Sequence, residues 1–512
     1  MVWLLIILAG LVIHGVILSV FVVLEHRHPI ATLVWILLLI FVPFVGVVLY
    51  YFFGRIRFVR RLKLRERSLQ HLLTQRPALR PVLAAASDAD ENQPTSSDMK
   101  TKEPDELESP FATPFAQKYL PILPQEQQPN VPLISLAQHA AEAPLTSKNG
   151  TTILQNAKEA YAAIEKAIRE AKHHVHVVYY ILRDDSVGKW LRDLLAERAE
   201  DGITVRVLVD GLGSYSLSDE FWAPLRNAGA SVETFLPFRF ARFTPDSNVN
   251  FRNHRKLVVV DGHIGLTGGI NMGEEYLGKA PFPPWRDTHV RIEGPAVTYL
   301  QQTFIEDWCH ATEEHLTDPS LYPDSFPDCG DDWVQIIPSG PDHDWYSIHL
   351  LFFLSITSAL QRIWIATPYF IPDNSILTAL ITATMRGVDV SLLLPSKGDH
   401  PMVHYAMRSY YKRLLKAGVK IYEYQKGMMH SKTMVVDSRC GTIGSANLDI
   451  RSFHLNFELN AFVYSQDFAS QLEDAFQDDL QHAKQITLKD FMKRPFSQRL
   501  YEAGARVFSP LL

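Results

Sequence analysis

The feature that most constrains this chain is a polar pattern that occurs twice, once in each half. The first copy begins at His254 and reads HRKLVVVDGHIGLTGGIN, and the second begins at His430 and reads HSKTMVVDSRCGTIGSAN. Both copies share a Lys, an Asp, a Gly and an Asn at the same distances after the histidine. Since chance rarely produces two matches that also share the downstream Gly and Asn, the pattern predicts a duplicated domain.

The polar residues of the two copies form matched sets. They are His254, Lys256, Asp261 and Asn271 in the first copy, and His430, Lys432, Asp437 and Asn447 in the second. Each set spans a β-branched run that is typical of a strand, so His and Lys, two residues apart, face the same side. The Asp has the opposite parity and ends the run, and we expect it to hold structure rather than to contact substrate.

These residue types suit the chemistry of a phosphoryl group. An ammonium group neutralises nonbridging oxygens, while an Asn amide and backbone N–H groups donate to them. If the two sets meet at a pseudo-two-fold interface, one imidazole can attack phosphorus and the other can protonate the leaving alkoxide. That division requires environments that push the two histidine pKa values apart. Glu275 and Glu458, downstream of each Asn, are candidates to orient the histidines.

The remaining pattern predicts an α/β fold. Helical periodicity over Ala157 to Ala171 and Lys189 to Glu200 alternates with the apolar runs HVHVVYYI and GITVRVLVD, and the same order returns after a helix near Ile348 to Gln361. Alternation of this kind indicates mixed sheets flanked by helices. We therefore predict two pseudo-symmetric domains, residues 141–325 and residues 326–512.

The amino-terminal part predicts a two-span transmembrane hairpin over residues 1–54. Met1 to Leu24 and Ile30 to Phe53 are each long and apolar enough to cross a hydrocarbon core as a helix. From Gly54 to Arg80 there are nine Lys or Arg and one acid. By the positive-inside rule this segment places the bulk of the chain in the cytoplasm.

A basic juxtamembrane segment and an acidic, Pro-rich linker are predicted for residues 55–140. Residues 87–130 hold nine acids and three Lys with few large aliphatic side chains, a composition typical of a flexible tether.

The formal net charge of the whole chain is −6, which disfavours a nucleic-acid partner. Cys309, Cys329 and Cys440 are too far apart in sequence to indicate a disulfide framework or a thiolate zinc site.

The duplicated pattern resembles the HKD signature of the phospholipase D superfamily. The hairpin and the segments WRDTHVRIEGPAV, GSANLDIRS and SPLL are similar to the bacterial cardiolipin synthase family, over nearly the whole chain except roughly residues 75–140. The resemblance implies that His254 is the nucleophile and His430 the general acid and later the base, with Asp261 and Asp437 completing the signature. It also implies that phosphate is held by Lys256, Lys432, Asn271 and Asn447.

By the same resemblance, the expected reaction transfers a phosphatidyl group from one phosphatidylglycerol to another and releases glycerol, without a metal or another cofactor. The expected location is the bacterial inner membrane, with several spans and with the catalytic domains on the cytoplasmic side.

The residues leave open a phospholipase D-type hydrolase or a transferase with another alcohol acceptor. A superfamily nuclease has no need of two spans, and intact motifs disfavour a membrane-anchored scaffold. The oligomeric state is not indicated.

Overall fold

The computed structural model describes only part of the amino-terminal region and most of the rest of the chain. The described ranges are residues 13–20, 22–23, 29–50, 125–237, 250–279, 284–323 and 325–509, together with residue 10. The predicted basic segment and most of the predicted acidic linker lie outside these ranges, and the predicted hairpin lies only partly within them. No helix within the described ranges has both the length and the apolar character required to cross a membrane.

The secondary structure alternates between strands and helices after residue 130. The α-helices are α1 (Pro29–Phe41), α2 (Pro43–Leu49), α3 (Val131–Ala141), α4 (Asn156–Arg169), α5 (Ser186–Glu200), α6 (Asp219–Asn227), α7 (Val297–Thr312), α8 (Ser347–Ser358), α9 (Asn374–Met385), α10 (Pro401–Ala417), α11 (Ile450–His454), α12 (Gln466–Leu480), α13 (Leu488–Met492) and α14 (Phe496–Val507). Residues 13–20 are also helical.

The first half contributes strands β1 (Thr146–Gln155), β2 (His174–Tyr179), β3 (Thr204–Asp210), β4 (Ser231–Phe235), β5 (Arg252–Asn253), β6 (Lys256–Val260), β7 (Ile264–Gly268) and β8 (Thr288–Glu293). The second half contributes β9 (Asp332–Ser339), β10 (Arg362–Ala366), β11 (Phe370–Ile371), β12 (Asp389–Pro395), β13 (Lys420–Tyr424), β14 (Thr433–Val436), β15 (Cys440–Gly444), β16 (Leu448–Asp449), β17 (Asn456–Tyr464) and β18 (Ala483–Ile486).

Strand order reveals the duplication. Within the described ranges the first half runs β1-β8-β7-β6-β2-β3-β4, and the second half runs β9-β17-β15-β14-β10-β12-β13, with β18 at its outer edge. Corresponding pairs agree in direction, for β2–β3 and β10–β12 are parallel whereas β6–β7 and β14–β15 are antiparallel. The α/β class and the mixed sheets are as predicted, and the two halves share one topology.

The two halves meet in the middle of a continuous sheet. Strand β1 pairs antiparallel with β9, so one sheet crosses the boundary between the halves. A buried cluster on this boundary joins residues from both halves, among them Phe304, Val334 and Phe457. Because burial of apolar surface drives association, the boundary is part of the protein core rather than a mobile joint between domains.

Helix α3 belongs to the folded part of the chain, which therefore begins before residue 141. Gln335 in β9 donates from Nε2 to the backbone oxygens of Ile134 at 3.2 Å and Ala143 at 2.6 Å. The apolar face of α3 packs in the core of the second half, on the side of the sheet that carries α8. Most of this helix falls within the 55–140 segment predicted as a linker, and the structure places it in the folded part.

The two aspartates of the repeated pattern fix the starts of two strands. Asp261 follows β6 with φ 53° and accepts hydrogen bonds from three successive backbone N–H groups, of residues 172–174, at 2.8 to 2.9 Å. Asp437 follows β14 with φ 51° and accepts from the N–H groups of residues 360–362 at 2.7 to 2.9 Å. Each carboxylate therefore anchors the first residues of β2 or β10, at the end of the strand away from its histidine.

This arrangement predicts a stability effect for Asp437→Asn. An amide accepts through one oxygen only, so at least one N–H at the start of β10 loses its partner, at a cost of about 1–2 kcal/mol in the free energy of unfolding. Asn tolerates the left-handed backbone conformation, which keeps backbone strain out of the comparison. Urea unfolding measures the change. Asp474→Asn, at an exposed position on α12, is the control, and an equal effect in both variants would contradict the anchoring role.

Candidate active site

The backbone brings the two histidines to the junction of the halves. Strand β5, just before His254, pairs in parallel with the start of β17, and the His254 N–H donates to Phe457 O at 2.9 Å. In the corresponding place, a bridge joins Arg286 to Met429, and the His430 N–H donates to Arg286 O at 2.7 Å. Each histidine is thus held by a backbone bond to the opposite half.

His254 is oriented by a carboxylate from the second half. Its Nδ1 lies 3.0 Å from both carboxylate oxygens of Glu458, which is fully buried in β17. Ser445 donates to the same carboxylate, and Asn456 donates to it from Nδ2 at 3.2 Å. With Nδ1 bonded in this way, Nε2 is the ring nitrogen that remains for a substrate. The Tyr180 ring packs edge-on against the imidazole, with 4.9 Å between the ring centres.

His430 is oriented by a carboxylate from the first half. Its Nδ1 lies 2.6 Å from Oδ2 of Asp287, a fully buried residue immediately before β8. The Trp285 ring lies against the same imidazole at 4.8 Å between ring centres. The sequence analysis missed Asp287 because more residues separate it from Asn271 than separate Glu458 from Asn447. The available signal was its position, since both acids stand at the start of the strand that follows the repeated pattern.

The two carboxylates stay ionised in spite of their burial. Burial by itself raises the pKa of the Asp287 carboxyl, but Lys432 and His430 outweigh it and hold that pKa below its usual range. The same balance applies to Glu458, for which burial is outweighed by His254, Lys256 and the Ser445 hydrogen bond, so its pKa is also lowered. A negative charge therefore lies behind each histidine.

Both lysines of the pattern are buried beside their histidines. Lys256 Nζ donates to the backbone oxygen of His254 at 2.6 Å, and Lys432 Nζ donates to that of His430. Lys432 Nζ also lies 3.3 Å from Nε2 of His430. Burial lowers the pKa of Lys256 to about 7 and that of Lys432 to about 8, partly offset by the nearby carboxylates. Each lysine thus adds positive charge beside its own histidine.

The other candidate residues occupy different places. Asn271 donates from Nδ2 to the Tyr276 hydroxyl at 2.8 Å, and Asn447 lines the cavity in the second half. Glu275, which the sequence suggested as the partner of a histidine, lies 3.4 Å from Nε of Arg183 instead. The structure therefore brings both His–Lys–Asn sets and Glu458 together, and it places Glu275 in an ion pair at the rim.

The two histidines have similar proton affinities in the structure. Burial lowers the pKa of His254 to about 4, although Glu458 opposes the shift. Burial and then Lys432 lower the pKa of His430 to about 4, although Asp287 opposes the shift. The free site thus holds two neutral imidazoles, and the separation of pKa values expected from the sequence does not come from the protein groups alone.

A cavity of about 370 Å³ connects the two histidines to the surface. Besides the two His and two Asn, its wall includes side chains that the sequence reasoning had not assigned, among them Tyr180, Arg252, Trp285, Asp449 and Arg451. Burial raises the pKa of Asp449 to about 6. In the described ranges no group of three or more His, Cys, Asp or Glu side chains is arranged to hold a metal ion.

Comparisons with known proteins agree with this geometry. The cardiolipin synthase of Geobacillus thermodenitrificans is 42% identical over 96% of this chain and 90% of its own length. Cardiolipin synthase 2 of Bacillus cereus is 40% identical over 96% of this chain and 88% of its own. The crystal structure of phosphatidylserine synthase from Haemophilus influenzae covers 74% of this chain and 100% of its own, with a TM-score of 0.58 and 16% identity, a likeness of fold.

Two family models match the sequence. One, described as "Phospholipase_D-nuclease N-terminal", matches residues 15–55. The other, described as "Cardiolipin synthase, PLD-like domain", matches residues 164–308 and 353–480, which together make up more than half of the chain and contain both histidine motifs. With these matches and with relatives near 40% identity over almost its full length, the chain belongs to the cardiolipin synthase family of the phospholipase D superfamily.

Proposed function

We propose that the chain transfers a phosphatidyl group from one phosphatidylglycerol to another, forming cardiolipin and glycerol through a phosphohistidine. The observation that carries the proposal is the pair of buried histidines on one cavity, each bonded to a carboxylate from the opposite half. Two neutral imidazoles flanked by lysines match a reaction that first displaces an alkoxide from phosphorus and then returns one.

In the first half-reaction, Nε2 of His254 attacks the phosphorus of the donor lipid. The phosphorus–oxygen bond to the glycerol headgroup breaks, and His430 gives its proton to that oxygen. His430 is neutral in the free site and takes up a proton from water when the lipid binds, because the adjacent negative phosphate favours the protonated ring and raises its pKa. Glu458 stabilises the positive charge that develops on His254, and Lys256 and Lys432 neutralise the nonbridging oxygens.

In the second half-reaction, a hydroxyl of the acceptor phosphatidylglycerol replaces the departed glycerol. His430, now neutral, removes the hydroxyl proton, and the oxygen attacks phosphorus while the phosphorus–nitrogen bond to His254 breaks. This returns both rings to the states that they had in the substrate complex, with the proton again on His430, and that proton returns to water when the product leaves. Asp287 holds His430 in one orientation for both steps, as a general acid that later acts as base requires.

The proposal includes attachment to a bacterial inner membrane through the amino-terminal region. The apolar character of Met1 to Leu24 and Ile30 to Phe53 and the basic segment after them support a hairpin with both ends on the cytoplasmic side. The match of the amino-terminal family model to residues 15–55 supports a family-specific role for this region. Both lipid substrates then reach the cavity from the same membrane surface.

The direct test uses the purified full chain in anionic vesicles that contain headgroup-labelled phosphatidylglycerol and a chelator. We expect cardiolipin and labelled glycerol in equal amounts, and loss of both products in His254→Ala and in His430→Ala. Phosphatidate as the main lipid product would instead identify a hydrolase. Full activity of His254→Ala would contradict the covalent mechanism.

The crossed carboxylates predict matched losses for Glu458→Gln and Asp287→Asn. Each change preserves shape but removes the charge that orients and stabilises an imidazole, so kcat should fall by at least about 10²-fold in each. Turnover of phosphatidylglycerol in vesicles measures the effect. Glu275→Gln is the informative comparison, because Glu275 bonds to Arg183 and not to a histidine. A loss as large as that of Asp287→Asn would contradict the assignment of Asp287.

The lowered pKa values predict the pH profile of kcat/KM. Since His254 has a pKa of about 4 in the free site, the neutral nucleophile persists down to about pH 4. His430 also has a pKa of about 4 and must gain a proton to act as the acid, so kcat/KM should be highest near pH 4 and should fall as the pH rises. Lys256 and Lys432, with pKa values of about 7 and 8, lose their charges as the pH rises through that range, which weakens phosphate binding. An acidic limb near pH 6.5 would contradict the burial effect on His254.

A further inference from the structure

The carboxy-terminal helix α14 exposes an apolar stripe. Phe496, Leu500 and Val507 follow the spacing of one helix face, and they are 72%, 61% and 75% exposed. Ala503 lies on the same face and is also exposed. Isolated exposed apolar residues are ordinary on a protein surface, but a continuous stripe along three turns of one helix marks an interaction surface.

The opposite face of α14 is fixed firmly to α10. Glu502 is buried there between Arg494 at 2.8 Å and Arg408 at 3.6 Å. Tyr501 packs on Tyr405 with 5.9 Å between ring centres. The buried ion pairs of Glu502 therefore fix the rotation of α14 about its axis, and this rotation directs the apolar stripe outward.

Helix α10 connects this stripe to the candidate active site. Its first turn is at the rim, where His400 and Val403 line the cavity. The pairs Tyr405–Tyr501 and Arg408–Glu502 show that α14 runs in the same direction as α10, so Phe496 is at the end of α14 that is closer to the rim. Met402, at the same end of α10, is 48% exposed.

Other exposed apolar side chains share this edge of the sheet. The cavity is at the carboxyl ends of β2, β10 and β12, and the loop after β3 at this edge exposes Tyr215. Two more large apolar side chains are exposed nearby. Leu277 is next to the cavity residue Tyr276, and Trp345 follows the end of β9 that pairs with Glu458. Large apolar groups thus surround the cavity mouth on several sides.

Positive charge accompanies the stripe. Arg499 and Arg506 lie on one flank of it and are exposed, whereas Glu502, the acid of α14, is buried on the far side. An apolar stripe bordered by arginines is the pattern of a helix that lies in the interface of an anionic bilayer.

We propose that α14 inserts its Phe496–Leu500–Val507 face into an anionic lipid surface and thereby holds the cavity mouth against the bilayer. This role rests on the proposed function, which makes lipids the substrates.

A nitroxide probe in the full chain tests the contact directly. The label is attached through Val507→Cys in a Cys329→Ser background, since Cys309 and Cys440 are buried. In phosphatidylglycerol vesicles, we expect the label to collide more with oxygen, which concentrates in lipid, than with a water-soluble nickel chelate. The matched site is Leu360→Cys, 72% exposed at the opposite edge of the sheet, where the chelate should dominate.

Two outcomes would overturn the proposal. One is equal access of the chelate to positions 507 and 360, which would mean that α14 faces water. The other is spin–spin broadening at position 507 with poor access of both reagents, which would mean that a second copy of the chain covers the stripe.

Activity supplies an independent measurement. The triple variant Phe496→Ser, Leu500→Ser, Val507→Ser should need about tenfold more lipid in vesicles for half-maximal rate, with an unchanged rate on short-chain phosphatidylglycerol dispersed as monomers. The control is Leu360→Ser with Met385→Ser, both at exposed positions on the opposite edge. Loss of the short-chain rate in the triple variant would indicate a structural role and contradict the proposal. Absence of turnover in the wild type would refute the proposed function. The nitroxide measurement would still show whether α14 contacts the lipid surface.

Discussion

The site depends on two hydrogen bonds that cross between the halves of the molecule. His254 bonds to Glu458 and His430 bonds to Asp287, so each half supplies the imidazole for one pair and the carboxylate for the other. Both carboxylates are fully buried, and a buried charge left without its partner is strongly destabilising. Neither half can therefore complete a site alone. The β1–β9 pairing and the shared apolar core provide the rigid boundary that holds four groups in register.

Much of this arrangement could be predicted from short-range pattern. The repeated spacing identified the His, Lys and Asn residues that meet at the cavity, because alternation along a strand fixes the side on which each group projects. The same parity argument separated the Asp from its histidine, and Asp261 and Asp437 lie at the far strand ends, bonded to backbone N–H groups. The α/β order followed from the alternation of apolar runs and helical periodicity.

The remainder depends on contacts between residues far apart in sequence. Asp287 reaches His430 because the bridge between Arg286 and Met429 sets the segments before β8 and β14 side by side, a contact between residues far apart in sequence. Glu275 had the expected chemistry and position along the chain, but the turn that carries it directs it to Arg183. Helix α3 directly follows the acidic segment, and its place in the core becomes visible only through its contacts with β9.

Under the proposed mechanism, the duplication also raises the question of how equivalent histidines take different roles. Their carboxylates, lysines and lowered pKa values nearly match, so the reacting groups themselves do not distinguish attacker from acid. The rim does differ: four residues after the shared Asn, the first half has Glu275 and the second has Arg451. Glu275 forms an ion pair with Arg183, whereas Arg451 bonds to Asn250. The two halves are thus alike in their reacting groups and differ in the side chains around them.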